Sequence, residues 1–591
     1  MHIQYLDKIK SLKLQENKLK KLSKGCLYVK LIAFALMVSS VYLAFDQVNI
    51  INLTAVGVFL IAYLISYVSD DECKRKIDAL HNMQKVCENE ISYLEGDFTA
   101  FHSGSEYIDP NHEFSYDLDI FGPSSLFNRI NRTITQKGSD MLAEKLSTIN
   151  QNPDKINNNQ KAIVELSKQF DWRIKFLSRR QIQTNLELLS DYIFNIKHNK
   201  ILESSILPYV SIVLTMSLLL LNILGVLPLL WFVGMFFMQL LITITVSKVS
   251  AKTSADTERL HKEYKSYLVI LKDIHQIEFQ SKVLNDLKKE LFNPKANSLA
   301  SFNNLSKILN LFDQRSNAVL YLILNGLFLY DILLIRMFIK WGKKYLSHVG
   351  KWIGCIAEID ALISLGTYAF NNPHNTPAQV MNTESEDVIE AVNFYHPFLS
   401  HEQATANNFT LKRTNIAIVT GANMAGKSTF LRTIGVTFLL AGNGVPVCAE
   451  SFKFSPVSLF SSMRTSDNLS KEISYFNAEL IRLEQLIKYV KDHDFTLIIL
   501  DEILKGTNSK DKLKGSVMFL EAISKYPISV VVATHDLELA KLEDKDSSTY
   551  LNYCFEIELS ESITYTYKIR HGVAQNLNAS YLLSNILSNL Q

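Results

Sequence analysis

The chain lacks most of the features that mark small ligand-binding scaffolds. Only six of its 591 residues are cysteines, Cys26, Cys73, Cys87, Cys355, Cys448 and Cys554, and no two stand in C-x-x-C spacing. That excludes a zinc ribbon and suits a reducing compartment. Net charge is only +2, so composition offers no sign of the markedly basic surface of a dedicated nucleic-acid domain. There is no low-complexity tract. The most consequential absence is local: between Glu203 and Lys248 no charged residue occurs in 44 positions rich in Leu, Ile, Val, Met and Phe. One spanning helix needs about 20 apolar residues, so this stretch predicts a helical hairpin in a bilayer, with Asn222, Gly225 and Pro228 marking its turn.

A second such arrangement lies near the N-terminus. Leu31 to Phe45 and Val48 to Val68 are apolar and separated by Asp46, with Leu27-Tyr28-Val29 extending the first run and Lys30 able to snorkel to the interface. Lys18, Lys20, Lys21 and Lys24 precede the pair, and Lys74, Arg75 and Lys76 follow it. Positive charge on both sides predicts that both ends are cytoplasmic. The apolar run starts too late for a cleaved signal peptide, and a second span follows at once. A third apolar stretch, Ala318 to Tyr330, is interrupted by Asp331 and Arg336 and has no matched return span, which predicts a buried helix instead. Residues 250 to 315 alternate charge and apolar positions at helical spacing and read as a solvated bundle helix.

Chemistry concentrates further on. Gly421-Ala422-Asn423-Met424-Ala425-Gly426-Lys427-Ser428 follows the apolar run Ile416 to Val419 and precedes Phe430-Leu431-Arg432. A strand feeding a glycine-rich turn into a helix N-terminus presents backbone N–H donors to phosphates, with Lys427 reaching β/γ oxygens and Ser428 reaching magnesium. The ATP-binding stretch is therefore Gly421 to Ser428 with Thr429. About seventy residues on, Thr496 to Leu500 is continuously apolar, as a strand buried on both faces must be, and ends in Asp501-Glu502. Asp501 is the candidate metal ligand with Ser428, and Glu502 the residue that polarises the attacking water. A third such strand, Ile528 to Ala533, ends in Thr534-His535, a candidate γ-phosphate sensor.

These parts occur in many ATPases, but Asn423-Met424, Leu500 to Ser509 and Ala533-Thr534-His535 closely resemble the ATPase domain of the MutS family of DNA mismatch-repair proteins. Ser466 to Leu469 and Ser474 to Glu479 are similar to that family's signature segment, and Leu126 to Thr135, with Gly138, Leu142 and Asn157 to Leu166, to the start of its helical core. The resemblance covers roughly residues 120 to 200 and 300 to 580. It implies a homodimer with composite sites, in which Ser474, Phe476 and Glu479 face the neighbour's nucleotide and Gly506-Thr507 lies at the same face. It also implies ATP and Mg2+ as cofactors and DNA as a partner. No mixed α/β mismatch-reading domain with a Phe-x-Glu wedge precedes residue 120, and a short tail from Ser580 follows. The aromatic residue that stacks on adenine in the family has no clear counterpart: Phe409 is near, while Glu402, Gln403 or Ala404 align with it.

The expected architecture is an α/β P-loop ATPase domain of ABC/MutS type, preceded by an all-α core and lever domain and two transmembrane helical hairpins. Along the chain this reads as a cytoplasmic helix (1–26), hairpin one (27–69), a helical linker (70–120), core and lever (121–203), hairpin two (204–247), a second lever part (248–385) and the ATPase domain (386–591). The expected protein is a multi-pass ATPase of the inner (cytoplasmic) membrane with its ATPase domain in the cytoplasm, driving a dimeric clamp on DNA. The alternatives are an ABC-type ATPase for transport or membrane remodelling, and a membrane scaffold switched by ATP. Against a transporter stands the absence of an L-S-G-G-Q segment.

Overall fold

The computed structural model describes residues 1–46, 50–182, 206–250, 254–313, 318–382, 385–400, 402–464, 475–559 and 563–575. Ser466 to Leu469, Ser474 and the tail from Ser580 lie outside them, as does the last part of the expected core segment, 183–203. The chain divides into two units, residues 1–101 with 169–180, and residues 102–168 with 181–591.

The first unit is built on two antiparallel helices, α1 (His2–Asp46) and α2 (Ile50–Leu94). Neither contains a proline, so nothing breaks the hydrogen-bond ladder, and each runs for about 67 Å at 1.5 Å per residue. The expected boundaries at residues 26 and 69 therefore fall inside continuous helices. The two ends of the pair differ in what they bury. Near the chain's start Tyr5, Ile9, Leu12 and Cys87 are core, and the helix α6 (Phe170–Leu177) completes it, with Phe170 5.3 Å from the Tyr5 ring and Asp171 paired to Lys8. Toward the turn the apolar side chains Leu31, Ile32, Phe34, Leu53, Ile61 and Ile65 are exposed. The change falls at a polar knot: buried Asp70 accepts from Ser23 and Lys30, both at 2.5 Å, and pairs with Lys74 at 3.0 Å. Lys30 thus pairs with a carboxylate across the helix pair, where snorkelling was expected.

The second unit starts with an irregular strap, residues 102–123, and the helices α3 (Leu126–Ile130), α4 (Gln136–Leu146) and α5 (Pro153–Lys168). Ser125 and Thr135 cap α3 and α4 through their hydroxyls. Next come α7 (Leu207–Ile223) and α8 (Leu229–Ser250), joined through Gly225 at φ +73° where a turn was expected. Then follow α9 (Ser254–Gln276), α10 (Lys282–Leu291), a two-residue β-ribbon, β1 (Phe292–Asn293) with β2 (Ala296–Asn297), α11 (Ser298–Asp313), α12 (Ala318–Phe328) and the 42-residue α13 (Tyr330–Asn371). The C-terminal half of α13 packs on α4 and α5, and its buried Asp360 accepts hydrogen bonds from the Ile134 and Thr135 amides and the Thr135 hydroxyl. Among the described residues α1, α2 and α13 are long and apolar enough to cross a bilayer, although most of the apolar window in α13 is buried by protein. The stretch 318–330 differs from the expected buried helix: α12 packs on α8, and to a lesser extent on α7 and α13, while Val319, Leu320, Leu322 and Ile323 are exposed.

The C-terminal region carries two sheets. One has four strands in the order β3 (Gln379–Val380), β7 (Ser451–Phe454), β4 (Asp387–Phe394) and β5 (Asn407–Lys412). The other has six, ordered β12 (Ile563–His571), β11 (Tyr550–Leu559), β6 (Ile416–Gly421), β10 (Ile528–Ala533), β9 (Thr496–Asp501) and β8 (Ser458–Ser462). All neighbours in it are parallel except β11 with β12. The continuous apolar runs of the sequence occupy its centre, where β6, β9 and β10 are buried along nearly their whole length. Helices α14 (Lys427–Gly442), α15 (Tyr475–Asp492) and α16 (Ser509–Ile523) flank it.

Candidate functional site

Parallel pairing aligns the carboxyl ends of the three central strands: Ala533 lies opposite Val419 on one side and Asp501 on the other. The loop after β6 turns through Gly421 (φ +148°), Met424 (φ +65°) and Gly426 (φ +107°) into the N-terminus of α14. A Cβ on Gly421 would stand 2.7 Å from the Phe555 carbonyl oxygen, so β11 approaches too closely for a side chain. Asn423, Met424, Ser428 and Thr429 are exposed at the mouth, while Ala422, Ala425 and Lys427 are buried.

Lys427 bends back into the loop and donates to the carbonyls of Gly421 (2.8 Å) and Ala422 (2.9 Å), with His535 Nδ1 at 3.4 Å. Burial lowers the Lys427 ammonium to about 8, against the opposing pull of Asp501 and Glu502. His535 is likewise pushed down, by burial and then by Lys427. Glu502 has a left-handed backbone (φ +68°), and its amide donates to the Ala533 carbonyl. Burial pushes its carboxyl up, but a hydrogen bond from Lys512 and the charges of Lys512, His535 and Lys505 outweigh this and hold it below its ordinary value. The structure thus brings Lys427, Asp501, Glu502 and His535 to one sheet edge.

The loop opens into a cavity of about 520 Å³ walled by the phosphate loop, His396, Leu399, Gln403, His535 and Tyr567. Phe409, a candidate for the base contact, is buried on β5 between Phe430 and Tyr553 and does not line it. Tyr567, on β12 with φ +52°, stands within contact distance of Gly426. Its place could not be read from a residue 140 positions away in sequence. His396 was closer to hand in Tyr395-His396-Pro397; burial and the nearby Arg432 and Arg129 lower it to about 4, so it is neutral at pH 7. Lys512 gave no signal at all, because a lysine in the first turn of a helix reads as a solvated surface residue.

Of the expected signature residues, Phe476 and Glu479 are described. Phe476 is half-buried at the start of α15. Glu479 is buried, and its two oxygens accept from the amides of Lys505 (2.9 Å) and Gly506 (3.0 Å) of the same chain. It therefore ties α15 to the loop after β9. The strap reaches the same region: Asp117 accepts from the Ser461 hydroxyl and the Arg464 amide, both at 2.8 Å, and Arg482 of α15 donates to the His112, Glu113 and Ser461 carbonyls.

A phosphate loop on a parallel sheet, with an acidic pair at the end of one neighbouring strand and a histidine at the end of another, defines a P-loop nucleotide-binding fold. Residues 417–584 match the family model described as MutS domain V. The chain is 28% identical over 252 residues to MutS protein homolog 4 of Mus musculus, covering 40% of this chain and 26% of that protein. It is 30% identical over 241 residues to the DNA mismatch repair protein MutS of Caldicellulosiruptor saccharolyticus (39% and 27%), and 32% identical over 230 residues to that of Acetivibrio thermocellus (37% and 26%). The chain spans about a quarter of the length of these relatives. This region is thus similar to the C-terminal domain of the MutS family.

Proposed function

We propose that the chain is a membrane-anchored ATPase of MutS type that works as a homodimer on DNA. The observation that carries the reading is the convergence of Lys427, Asp501, Glu502 and His535 at the carboxyl ends of β6, β9 and β10, where Lys427 and His535 line a cavity large enough for a nucleotide. Among the described residues no cluster of three or more His, Cys, Asp or Glu could hold a metal by itself. One hydroxyl, Ser428, and one carboxylate, Asp501, fit Mg2+, which takes few protein oxygens and completes its shell with water and phosphate. Ser428 and Asp501 would hold it, and it supplies charge neutralisation at the phosphates.

In this reading the backbone amides from Ala422 to Ser428 cradle the phosphates, and Lys427 exchanges its two carbonyl partners for β/γ oxygens. Glu502 orients a water and takes its proton as the water oxygen attacks the γ-phosphorus and the bond to the β-phosphate oxygen breaks. His535 donates to a γ-oxygen. Tyr567, Leu399, Gln403 and neutral His396 form the wall that faces the base. A neighbour's Ser474 completes each site, so that nucleotide closes the dimer and hydrolysis opens it. The exposed apolar surfaces of α1, α2, α7 and α8 support anchoring by two hairpins in the inner membrane, with the ATPase domain in the cytoplasm.

The test is ATP turnover by the detergent-purified protein with and without linear, mismatched and branched DNA. Stimulation by DNA is expected. Turnover indifferent to DNA would favour the ABC-type alternative, and tight nucleotide binding without turnover would favour an ATP-switched scaffold.

A further inference from the structure

Helix α12 has 11 residues, about 16 Å at 1.5 Å per residue, roughly half of a bilayer's hydrocarbon thickness. At Leu329 the backbone enters the left-handed region (φ +48°), and α13 leaves at once as the second limb of a tight helical pair. A helix break in water needs no special provision, because solvent takes up the freed amides. Here the amides of Leu329, Asp331, Ile332 and Leu333 are satisfied by protein. The Leu329 amide donates to the Asn325 carbonyl (3.2 Å), and the Ile332 and Leu333 amides to the Leu329 carbonyl (2.9 and 3.2 Å). The buried Asn325 side chain accepts from the Asp331 amide (2.9 Å) and donates to the Tyr321 carbonyl (3.0 Å). Such sealing is what a non-helical backbone requires inside hydrocarbon.

The level at which the tip packs agrees. Gly326 lies against Phe236 of α8 so closely that a Cβ there would fall 2.1 Å from the ring. Phe236 is seven residues from the start of α8, hence only about 10 Å from the hairpin turn. On the way back, Arg336 lies over the Tyr209 ring at 5.5 Å, near the start of α7, and Lys340, Lys343 and Lys344 follow. An arginine on a tyrosine followed by lysines marks a membrane interface. By Trp341 the helix is in the protein core, where the indole N–H donates to the Ser301 carbonyl (3.0 Å). Between these levels Val319, Leu322, Ile323 and Met337 are exposed, as are Val213, Leu241 and Ile244 of the hairpin. The hairpin's own polar groups are turned inward, Gln239 donating to Ser211 and Thr215.

We propose that α12 and residues 330–338 of α13 form a re-entrant helical pair that enters the bilayer from the side carrying both ends of the second hairpin, with hydrocarbon covering the exposed face of α12. The proposal rests on the membrane reading of that hairpin. It makes α13 one rigid helix running from within the membrane to the helical core that includes α4 and α5.

The test is spin labelling of the full chain, with native cysteines replaced, reconstituted in phosphatidylcholine vesicles. Single labels at Val213 and Leu241 report the hairpin, those at Val319 and Ile323 report α12, and one at Lys340 serves as the aqueous control. Collision with oxygen and with a water-soluble nickel chelate is measured at each. All four apolar sites should be oxygen-accessible and shielded from nickel, with Ile323 deeper than Val319. Gly326→Leu should move the Ile323 label to a shallower depth while ATP binding persists. Nickel access at Val319 and Ile323 with an immersed hairpin would overturn the re-entrant pair alone. Nickel access at all four apolar sites would overturn the membrane reading with it. Shielding of α12 from both reagents would mean that protein, such as a second copy, covers it, and would overturn the lipid contact.

Discussion

Lys512 in the first turn of α16 donates to Glu502 Oε1, so a cation holds the carboxylate at the end of β9 ten residues away. Both side chains are about one-fifth exposed, and both act electrostatically on His535. This contact has consequences for how the site would work.

With Lys512 in place the Glu502 carboxylate is held ionised, which a general base needs. Lys512→Ala removes the largest opposing pull and leaves His535 and Lys505 against burial, which raises the carboxyl. The acid limb of the kcat/KM profile for ATP should therefore move to higher pH, read from turnover between pH 5 and 8. A limb that stays in place would mean that Lys512 has left Glu502 in the working enzyme. Glu502→Gln should lower kcat by about 10²- to 10⁴-fold with nucleotide binding retained.

Lys427 is lowered to about 8 by burial in the nucleotide-free site. Phosphate charges favour the ammonium and should raise it again. Below pH 7 the group is already protonated, so binding exchanges little. Near pH 9 the empty site is largely neutral, and binding should take up most of a proton. Calorimetry in two buffers of different ionisation enthalpy measures this, and absence of uptake at pH 9 would refute a depressed Lys427.

Glu479 offers two acceptor oxygens to two amides of the loop containing Gly506. Glu479→Ala leaves both amides without that partner, a cost of about 1–3 kcal/mol each, and should loosen the loop. ATP affinity is expected to change less than threefold while turnover falls at least tenfold. Mixing Lys427→Ala chains with Ser474→Ala chains should restore at most one working site per mixed pair, and full activity of a monomer would contradict a composite site.

Asp360 ties α13 to the start of α4 through three donors and is fully buried. Asp360→Ala should destabilise the protein by about 3 kcal/mol, measured by denaturant unfolding of the detergent-solubilised chain. A loss under 1 kcal/mol would show that water replaces the carboxylate.

DNA binding, if measured near physiological salt, should discriminate a single mismatch from perfect duplex by less than about threefold. Residues 102–123 form a strap held on the six-stranded-sheet region by Asp117, Arg464 and Arg482. Backbone contacts carry no sequence information. A tenfold preference would point to a reading element elsewhere.

Much of the site was legible from residue order because its parts are local. A phosphate loop is one turn between one strand and one helix, and a doubly buried strand must be continuously apolar, so Gly421 to Ser428, Asp501, Glu502 and His535 could be placed at strand ends before any coordinates. The hairpin turn at Gly225 was legible for the same reason. What stayed hidden depends on which surfaces meet. Tyr567 faces Gly426 only because β12 folds back on β11, Glu479 turns to its own chain's loop, and Lys512 meets Glu502 across a bend with no motif. Apolar residues in α12 look the same in a protein core and in lipid; their neighbours distinguish the two, and those neighbours are assigned by packing between helices far apart in the chain.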